Sequence, residues 1–232
     1  MRLTSITGIA AVGAAVALVL TGCGSATKTE PTSAKETSSS KAAPSSRAKV
    51  APREDDAVGP NPTIASYIEE NDIQEVQVSV GDPGSPNIDL PVPEGWEPAG
   101  EETPDWAYGA IIYTGPEAEE YPPSIVALLS RLTGNVDPQA IIDYAPGELQ
   151  NLPGWSPINE GTTSTLGEYP AYELAGTWEQ DGLTKIVAQK TVVIPGRDGL
   201  YVLQLNADSL ESQADVIGAA TEIIDNETTI SF

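Results

Sequence analysis

Three apolar segments joined by two short turns constrain the fold of this chain more than any other feature. The turns contain Asp181-Gly182 and Asp198-Gly199, and the segments span residues 172–178, 184–194 and 200–205. Asp-Gly is a strong signal for a tight hairpin, because both central residues of a type I′ turn need positive φ. The sequence therefore predicts a three-stranded antiparallel meander.

Helix and strand signals surround this meander. Pro62 and Pro138 stand at the starts of two expected helices, and Asp208 is expected to cap a third. Alternating apolar residues predict strands with one buried face at 76–80 and 88–92. Two longer apolar runs suggest a pair of central strands at 110–113 and 125–132. Hairpins without regular βαβ alternation favour an α+β fold, an antiparallel sheet covered by helices.

The N-terminus has the pattern of a lipoprotein export signal over residues 1–22. Arg2 supplies the positive charge, and the apolar stretch 9–20 is too short for a stable transmembrane helix. Leu20-Thr21-Gly22-Cys23 fits the bacterial lipobox, in which the cysteine is diacylated and becomes the new N-terminus. The alternative is an ordinary cleaved signal peptide followed by a chance cysteine. Cys23 is the only cysteine, and its lipidation predicts stable anchoring at the extracytoplasmic face of the cell membrane. Two acyl chains give stable membrane binding, whereas a single chain gives only marginal binding.

Residues 23–58 are predicted to form a flexible tether that follows the lipidated cysteine. They are rich in Ser, Thr, Ala, Lys and Pro, and cannot bury enough surface to offset the entropy lost on ordering. Residues 59–232 are then predicted to be one globular domain of ordinary size.

The predicted domain is strongly acidic. Residues 61–232 contain four Lys/Arg against 29 Asp/Glu. This excess argues against binding to nucleic acid or to anionic lipid, since both need basic patches. An acidic surface also keeps an exported domain soluble. No D-x-[DN]-x-[DN]-G calcium loop occurs, so we predict no metal site.

The composition excludes most catalytic mechanisms. The chain has no histidine, and lipidation removes its thiol, so Ser-His-Asp triads, Cys-His pairs and His/Cys zinc sites are ruled out. A glycosidase mechanism that uses two carboxylates stays possible, because among so many acidic residues some pair lies at a suitable separation. Lys185 and Lys190 lie in a predicted strand with no S-x-x-K motif before them, and we expect both on its solvent face. No enzyme activity and no cofactor are predicted.

Aromatic residues in loops are the remaining candidates for a binding site. Trp96 and Trp155 both follow a Pro/Gly turn. Tryptophan in a loop commonly covers the core. The alternative is an aromatic wall for a ligand with apolar and hydroxyl parts, such as an acylated sugar. On this second interpretation Trp96, Tyr144 and Trp155 border a ligand cleft.

Six short strings resemble the actinobacterial LpqN/LpqT lipoprotein family in order and spacing. They are GDPGSP (81–86), IDLPVP (88–93), APGEL (145–149), NLPG (151–154), VAQKTVVIP (187–195) and LQLNAD (203–208). The resemblance implies a fold similar to the Mog1p/PsbP-like α/β/α sandwich. It also implies a non-catalytic periplasmic factor of mycolate cell-envelope biogenesis that contacts trehalose glycolipids and RND-type lipid transporters. Cys23 is the one functional position carried over.

Three hypotheses of function follow from these features. The first is a membrane-tethered module that binds an acyl-trehalose lipid beside an RND-type transporter. The alternative is a surface-exposed, host-facing protein-interaction module that uses its acidic face and has no lipid ligand. A carboxylate enzyme acting on glycans is a third and weaker alternative.

The lipobox assignment is tested by replacing its cysteine. We expect Cys23→Ala, expressed as the full chain in a mycolate-bearing bacterium, to lack the mass of the acyl modification, because no thiol remains to be acylated. Ser25→Ala, two residues away, should carry the same acyl mass as the unmodified sequence. An acyl mass on the Cys23→Ala chain would contradict the assignment.

Overall fold

The structure, a computed structural model, describes residues 59–119 and 121–232. The predicted signal peptide (1–22), Cys23 and the predicted tether (23–58) lie outside the described residues. Within the described ranges, no helix reaches the length and apolarity that crossing a bilayer requires.

The described part of the chain contains eleven strands and four α-helices. The strands are β1 (Gln74–Gln77), β2 (Asn87–Asp89), β3 (Trp96–Pro98), β4 (Gly109–Tyr113), β5 (Ser124–Thr133), β6 (Ser156–Pro157), β7 (Thr162–Leu166), β8 (Tyr169–Gln180), β9 (Leu183–Pro195), β10 (Leu200–Leu210) and β11 (Thr229–Ser231). The helices are α1 (Ile64–Glu70), α2 (Pro138–Tyr144), α3 (Gly147–Gln150) and α4 (Ala214–Glu227).

Nine of these strands form one antiparallel sheet. Its order is β3-β4-β5-β10-β9-β8-β6, with β1 also paired to β5 and β7 also paired to β8. β2 and β11 form a separate two-stranded ribbon. The predicted meander is confirmed as β8-β9-β10, and the expected pair of apolar strands is confirmed as the neighbours β4 and β5.

The turn between β8 and β9 has the conformation that its sequence predicts. Asp181 and Gly182 have φ values of 53° and 79°. Positive φ at both central positions is the type I′ geometry, which matches the twist of the flanking strands. The turn therefore fixes the register in which Gln180 pairs with Leu183.

Helices cover both faces of the meander, because successive side chains of a strand point to opposite faces. One face packs against α4 in a cluster that includes Ala127, Leu129, Val192, Leu203, Leu205, Ile217, Ala220 and Ile224. The other face packs against α1 and α2 in a cluster that includes Tyr67, Leu132, Ile141, Ile142, Val193 and Val202. Leu149 of α3 extends this second layer over Leu174 and Val187. The predicted α+β sheet flanked by helices is confirmed.

The first two expected helices form, each with a side-chain cap at its start. α2 begins at Pro138 with Asp137 as its cap, as predicted, and the Asp137 side chain accepts from the Gln139 amide. α1 begins later than its proline suggested. Thr63 is the cap there, because its hydroxyl accepts from the Ser66 amide while the Ser66 hydroxyl accepts from the Thr63 amide.

The expectation that Asp208 caps the last helix is wrong. β10 continues through Leu210, and Asp208 lies within the strand opposite Ser124 and Val187. α4 starts only at Ala214, after the Gln213 side chain has accepted from the Leu210 amide. Pairing with strands on both sides outweighs the local capping signal.

The two early strands are shorter and more exposed than the alternation suggested. All four residues of β1 are exposed, and Val78, the buried valine of that region, lies just beyond it. β2 has only three residues, with Ile88 as its buried one. The expectation of buried strand faces at 76–80 and 88–92 is therefore met only at Val78 and Ile88.

The close approach of α3 to the chain before α1 gives a stability test. A β-carbon at Gly147 would collide with the carbonyl oxygen of Pro62, whereas one at Gly218 in α4 would meet nothing within 4 Å. We expect Gly147→Ala to lower the free energy of unfolding by about 1–3 kcal/mol. Gly218→Ala should raise it by about 1 kcal/mol, because alanine favours the helix. Urea unfolding measures both, and equal effects would contradict the packing at Gly147.

Candidate functional site

A cleft lies between α4 and the face of the meander that this helix covers. Its floor is a row of small side chains, since Ala175 pairs with Ala188 and Ala188 pairs with Ala207 in register across three strands. Ile125 of β5 extends the row. An alanine side chain ends at its β-carbon, so the floor is lower here than in the next row, which contains Leu205.

The helix α4 forms the roof of this cleft. Thr221, Ile224 and Asp225 line it from above, and Asn159, which follows β6, lines it from the side. The volume is about 220 Å³, close to that of roughly seven water molecules at about 30 Å³ each. The cleft therefore has room for a segment of an apolar chain.

A buried lysine marks one end of the cleft. Lys190 Nζ lies 3.0 Å from Glu173 Oε2 and 2.7 Å from Asp225 Oδ1. The lysine side chain is 9% exposed and its two partners are 39% and 37% exposed. Glu173 is the register partner of Lys190 in β8, while Asp225 comes from α4. We call these three residues the ion triad, and its net charge is negative.

A second, polar depression lies on the far side of the ion triad. It is lined by Thr163, Ser164 and Thr165 of β7 and by Asn226 at the end of α4. Its volume is about 720 Å³. The triad residues line both the depression and the cleft, so the two spaces meet at the triad.

A second buried lysine lies on the opposite face of β9. Lys185 is 4% exposed, and its Nζ donates to Tyr121 Oη at 2.8 Å and to Gln180 Oε1 at 2.6 Å. The Asp208 carboxylate lies 3.7 Å from the same ammonium and accepts from the Tyr121 hydroxyl. Burial raises the pKa of Tyr121, and the charge of Asp208 raises it further. The phenol therefore stays protonated as a donor.

Burial also raises the pKa of the Asp208 carboxyl, although the nearby Lys185 charge acts to lower it. The expectation that Lys185 and Lys190 face solvent is thus wrong for both. Their strand is central and covered on each face, so each ammonium is buried and paired with at least one carboxylate.

Neither lysine is arranged for nucleophilic catalysis. Lys190 is bonded to two carboxylates, and Lys185 is enclosed by Tyr121, Gln180 and Asp208. Among residues 59–119 and 121–232, no group of three or more acidic side chains is arranged to hold a metal ion. The arrangement under α4 offers an apolar space next to a polar one.

The structure does not bring the three predicted aromatic residues together. Trp96 is buried in the cluster under α4 with its ring 5.7 Å from that of Tyr113. Tyr144 stacks on Tyr67 at 5.3 Å in the cluster under α1 and α2. Trp155 packs with the cluster of Leu149, on the face opposite α4. A role for Trp96, Tyr144 or Trp155 in ligand contact stays a prediction.

Sequence interpretation missed the alanine row and the acidic partners of Lys190. A signal for the alanine row and for Glu173 was present in the hairpins. Counting outward from Asp181-Gly182 pairs Ala175 with Ala188 and Glu173 with Lys190. No comparable signal indicated Asp225, which reaches the site only because α4 lies over this face.

Comparison with known proteins gives consistent matches. The family model described as "Probable lipoprotein LpqN" matches residues 60–231. Lipoprotein LpqN of Mycobacterium tuberculosis is 50% identical over 219 residues, which are 94% of this chain and 95% of that protein.

Solved structures are similar as well. The crystal structure of LpqN, described as involved in cell envelope biogenesis of Mycobacterium tuberculosis, has a TM-score of 0.71 and 48% identity. That match covers 75% of this chain and 100% of the other. The Ran-binding protein Mog1p of Saccharomyces cerevisiae matches with 14% identity and a TM-score of 0.43, over 68% of this chain and 95% of that one.

The ion triad is tested by removing its cation. We expect Lys190→Met to lower the free energy of unfolding by about 1–2 kcal/mol, a value discounted because both carboxylates are more than a third exposed. The loss arises because two neighbouring carboxylates are left without a cation. Urea unfolding of the triple variant Lys190→Met, Glu173→Gln, Asp225→Asn should show at least half of the loss recovered. A triple variant less stable than Lys190→Met would contradict the triad.

Proposed function

The chain belongs to the LpqN lipoprotein family, and on this premise we propose that it is a membrane-anchored, extracytoplasmic and non-catalytic accessory factor of mycolate cell-envelope biogenesis. Its ligand in this proposal is a trehalose glycolipid, and its protein partner is an RND-type lipid transporter. The description of its relative LpqN as involved in cell envelope biogenesis supports the general role.

The proposed lipid function rests on one observation, the alanine-floored cleft that meets a polar depression at the ion triad. Ala175, Ala188, Ala207 and Ile224 give the cleft an apolar floor and roof. Burying a methylene group against such a surface contributes about 0.8 kcal/mol. A few methylenes in the cleft, with a polar group in the depression, match the two parts of an acylated sugar.

The size of the cleft limits what is bound. A volume of about 220 Å³ is below the roughly 300–1,000 Å³ of sites that enclose a drug-sized ligand. A long acyl chain would therefore be gripped over one segment, with the rest in a membrane or in a second protein. This fits a factor that presents a lipid to a transporter better than a carrier that encloses it.

The proposed anchor would hold the domain near that membrane. Acylated Cys23 would tie the chain to a leaflet, and a flexible tether of roughly 35 residues has a root-mean-square span of about 30–35 Å. The domain could then meet a transporter within this distance of its own anchor.

The acidic exterior supports a protein partner as the second candidate function. Residues 61–232 contain four basic residues, and two of these, Lys185 and Lys190, are buried. A surface with so little positive charge would associate with a basic surface on its partner. The surface-exposed interaction module, without a lipid ligand, is the alternative that this observation favours.

Filling the cleft tests the lipid proposal. Full-length Cys23→Ala protein is incubated with envelope extract from a mycolate-bearing bacterium, and retained lipid is measured by mass spectrometry. We expect a trehalose lipid near one-to-one stoichiometry, and at least an approximately tenfold loss of affinity in Ala188→Leu, because the larger side chain occupies the floor. Thr184→Leu, on the same strand and face but outside the cleft, is the matched control.

The same assay tests the predicted aromatic residues. If the ligand lies in the cleft, Trp155→Ala should retain lipid like the parent protein. Loss of lipid in Trp155→Ala with normal retention in Ala188→Leu would instead move the site to the aromatic residue.

The protein-partner alternative is tested by recovery from envelope extracts at low and high salt. The alternative is supported if the domain retains no lipid and a transporter is recovered with it only at low salt, since salt screens the attraction between exposed charges. Recovery of lipid that does not depend on salt would count against it.

A further inference from the structure

Within residues 59–119 and 121–232, the strand β7 pairs only with β8 and leaves one edge of the large sheet open. We propose that this edge is a docking site for an extended, basic segment of a protein partner, which adds a strand to the sheet. The inference rests on the protein-partner part of the proposed function and names the surface that the partner binds. The sequence of β7, the direction of its backbone groups and the charge beside it each support the assignment.

The sequence of β7 lacks the features that protect β3 and β6, the strands at the two ends of the sheet order. Proline, charge and short length commonly protect an edge strand from further pairing. β3 has three residues and contains Glu97 and Pro98, and β6 has two residues, one of which is Pro157. β7 has five residues, and it contains neither proline nor a charged side chain. Its edge is therefore open to pairing with a further strand.

The backbone groups that point away from β8 are those of Thr163 and Thr165. In an antiparallel pair, residues that exchange hydrogen bonds alternate with residues that do not. Thr165 lies opposite Pro170, which has no N–H to donate, so Thr165 and Thr163 belong to the set that does not bond to β8. The Thr163 carbonyl accepts from the Thr162 hydroxyl at 3.3 Å, and its second lone pair is left for a strand partner. The N–H and C=O groups of both threonines face the open edge.

The depression of about 720 Å³ borders this edge. Its lining contains Thr163, Ser164 and Thr165 in succession, although successive side chains of a strand point to opposite faces of the sheet. Consecutive residues line one space only where that space borders the backbone of the strand. An added strand would lie about 4.8 Å from β7, in this part of the depression. A ligand whose polar end lies beside the ion triad would then be next to the partner that receives it.

The charge beside the edge favours a basic segment. Ser164 and Thr162 share a face of β7, and Thr162 pairs with Glu173 of the ion triad. A side chain of the added strand opposite Ser164 would point to this face, where Glu173 and Asp225 are each more than a third exposed. Asp225 also lies in the last turn of α4, which contains no basic residue, and the C-terminal end of a helix has partial negative charge. Lysine or arginine on the partner strand would be attracted there, and aspartate or glutamate would be repelled.

The test uses synthetic peptides titrated into full-length, isotope-labelled Cys23→Ala protein and followed by NMR. The probe is a peptide of about seven residues that alternates threonine with lysine and has both ends blocked. One control replaces every lysine with glutamate. The other keeps the lysines but is N-methylated at each inner residue, which removes the strand donors. We expect the basic peptide to bind at least about fivefold more tightly than either control, and equal affinities would overturn the inference.

Hydrogen exchange shows whether the peptide binds as a strand. In the free protein the Thr163 and Thr165 amides should exchange rapidly, whereas the Ser164 amide, which bonds to β8, should exchange slowly. A saturating concentration of the basic peptide should slow exchange at Thr163 and Thr165 at least about fivefold and leave Ser164 unchanged. Binding without this protection would overturn strand addition, because attraction between charges alone does not bond these amides.

Two matched pairs of variants test the edge and its charge. Thr163→Pro removes an outward N–H at a position where an edge strand tolerates proline, and should weaken binding of the basic peptide at least about fivefold. Thr163→Val keeps that N–H and should bind like the parent protein. Asp225→Asn should weaken binding at least about threefold. Asp215→Asn, at an exposed position in the first turn of the same helix, should not. Equal affinities within either pair would overturn the site.

The remaining outcomes separate this inference from the proposed function. If the Thr163 and Thr165 amides already exchange slowly in the free protein, another occupant covers the edge and the inference is overturned. Protection that grows with protein concentration would identify that occupant as a second copy of the chain. If the basic peptide fails to bind while a transporter is still recovered at low salt, only the docking surface is wrong. If neither binds, the proposed protein partner fails with it.

Discussion

The covering of the central strands on both faces is the constraint on which the rest of the structure depends. β9 lies between β8 and β10, under α4 on one face and over α1, α2 and α3 on the other. A charged group buried there needs a partner, because burying an unpaired ammonium is very costly. Lys185 and Lys190 point to opposite faces of β9. Asp208 pairs with Lys185, and Glu173 and Asp225 pair with Lys190. Their pairing places a polar cluster on each side of the sheet.

Much of the sheet follows from two short turns in the sequence. The Asp181-Gly182 hairpin fixes its own register, so every pair along β8 and β9 follows by counting outward. This places Ala175 opposite Ala188 and Glu173 opposite Lys190. The Ala175–Ala188 part of the cleft floor and one arm of the ion triad were therefore predictable from the chain alone. They were missed because the strand was interpreted as half-exposed.

Other features depend on contacts that no local pattern contains. Asp225 reaches Lys190 only because α4 packs on that particular face of the sheet. Asp208 has the spacing of a helix cap, yet β5 and β9 pair with it on both sides and keep it in a strand. Loop composition likewise did not indicate that Trp96 and Trp155 would pack on opposite faces of the sheet. In each case long-range packing decides where the residue lies.

The burial of two lysines has a consequence for how the protein responds to its solvent. With Lys185 and Lys190 inside and Arg131 half-buried, Arg197 is the one exposed basic residue of 61–119 and 121–232, on a surface dominated by carboxylates. Those carboxylates repel one another, and unfolding relieves the repulsion by moving them apart. Dissolved ions shorten the reach of this repulsion, to about 8 Å at physiological ionic strength. A domain of this kind gains stability as salt is added, the opposite of a protein held together by exposed ion pairs.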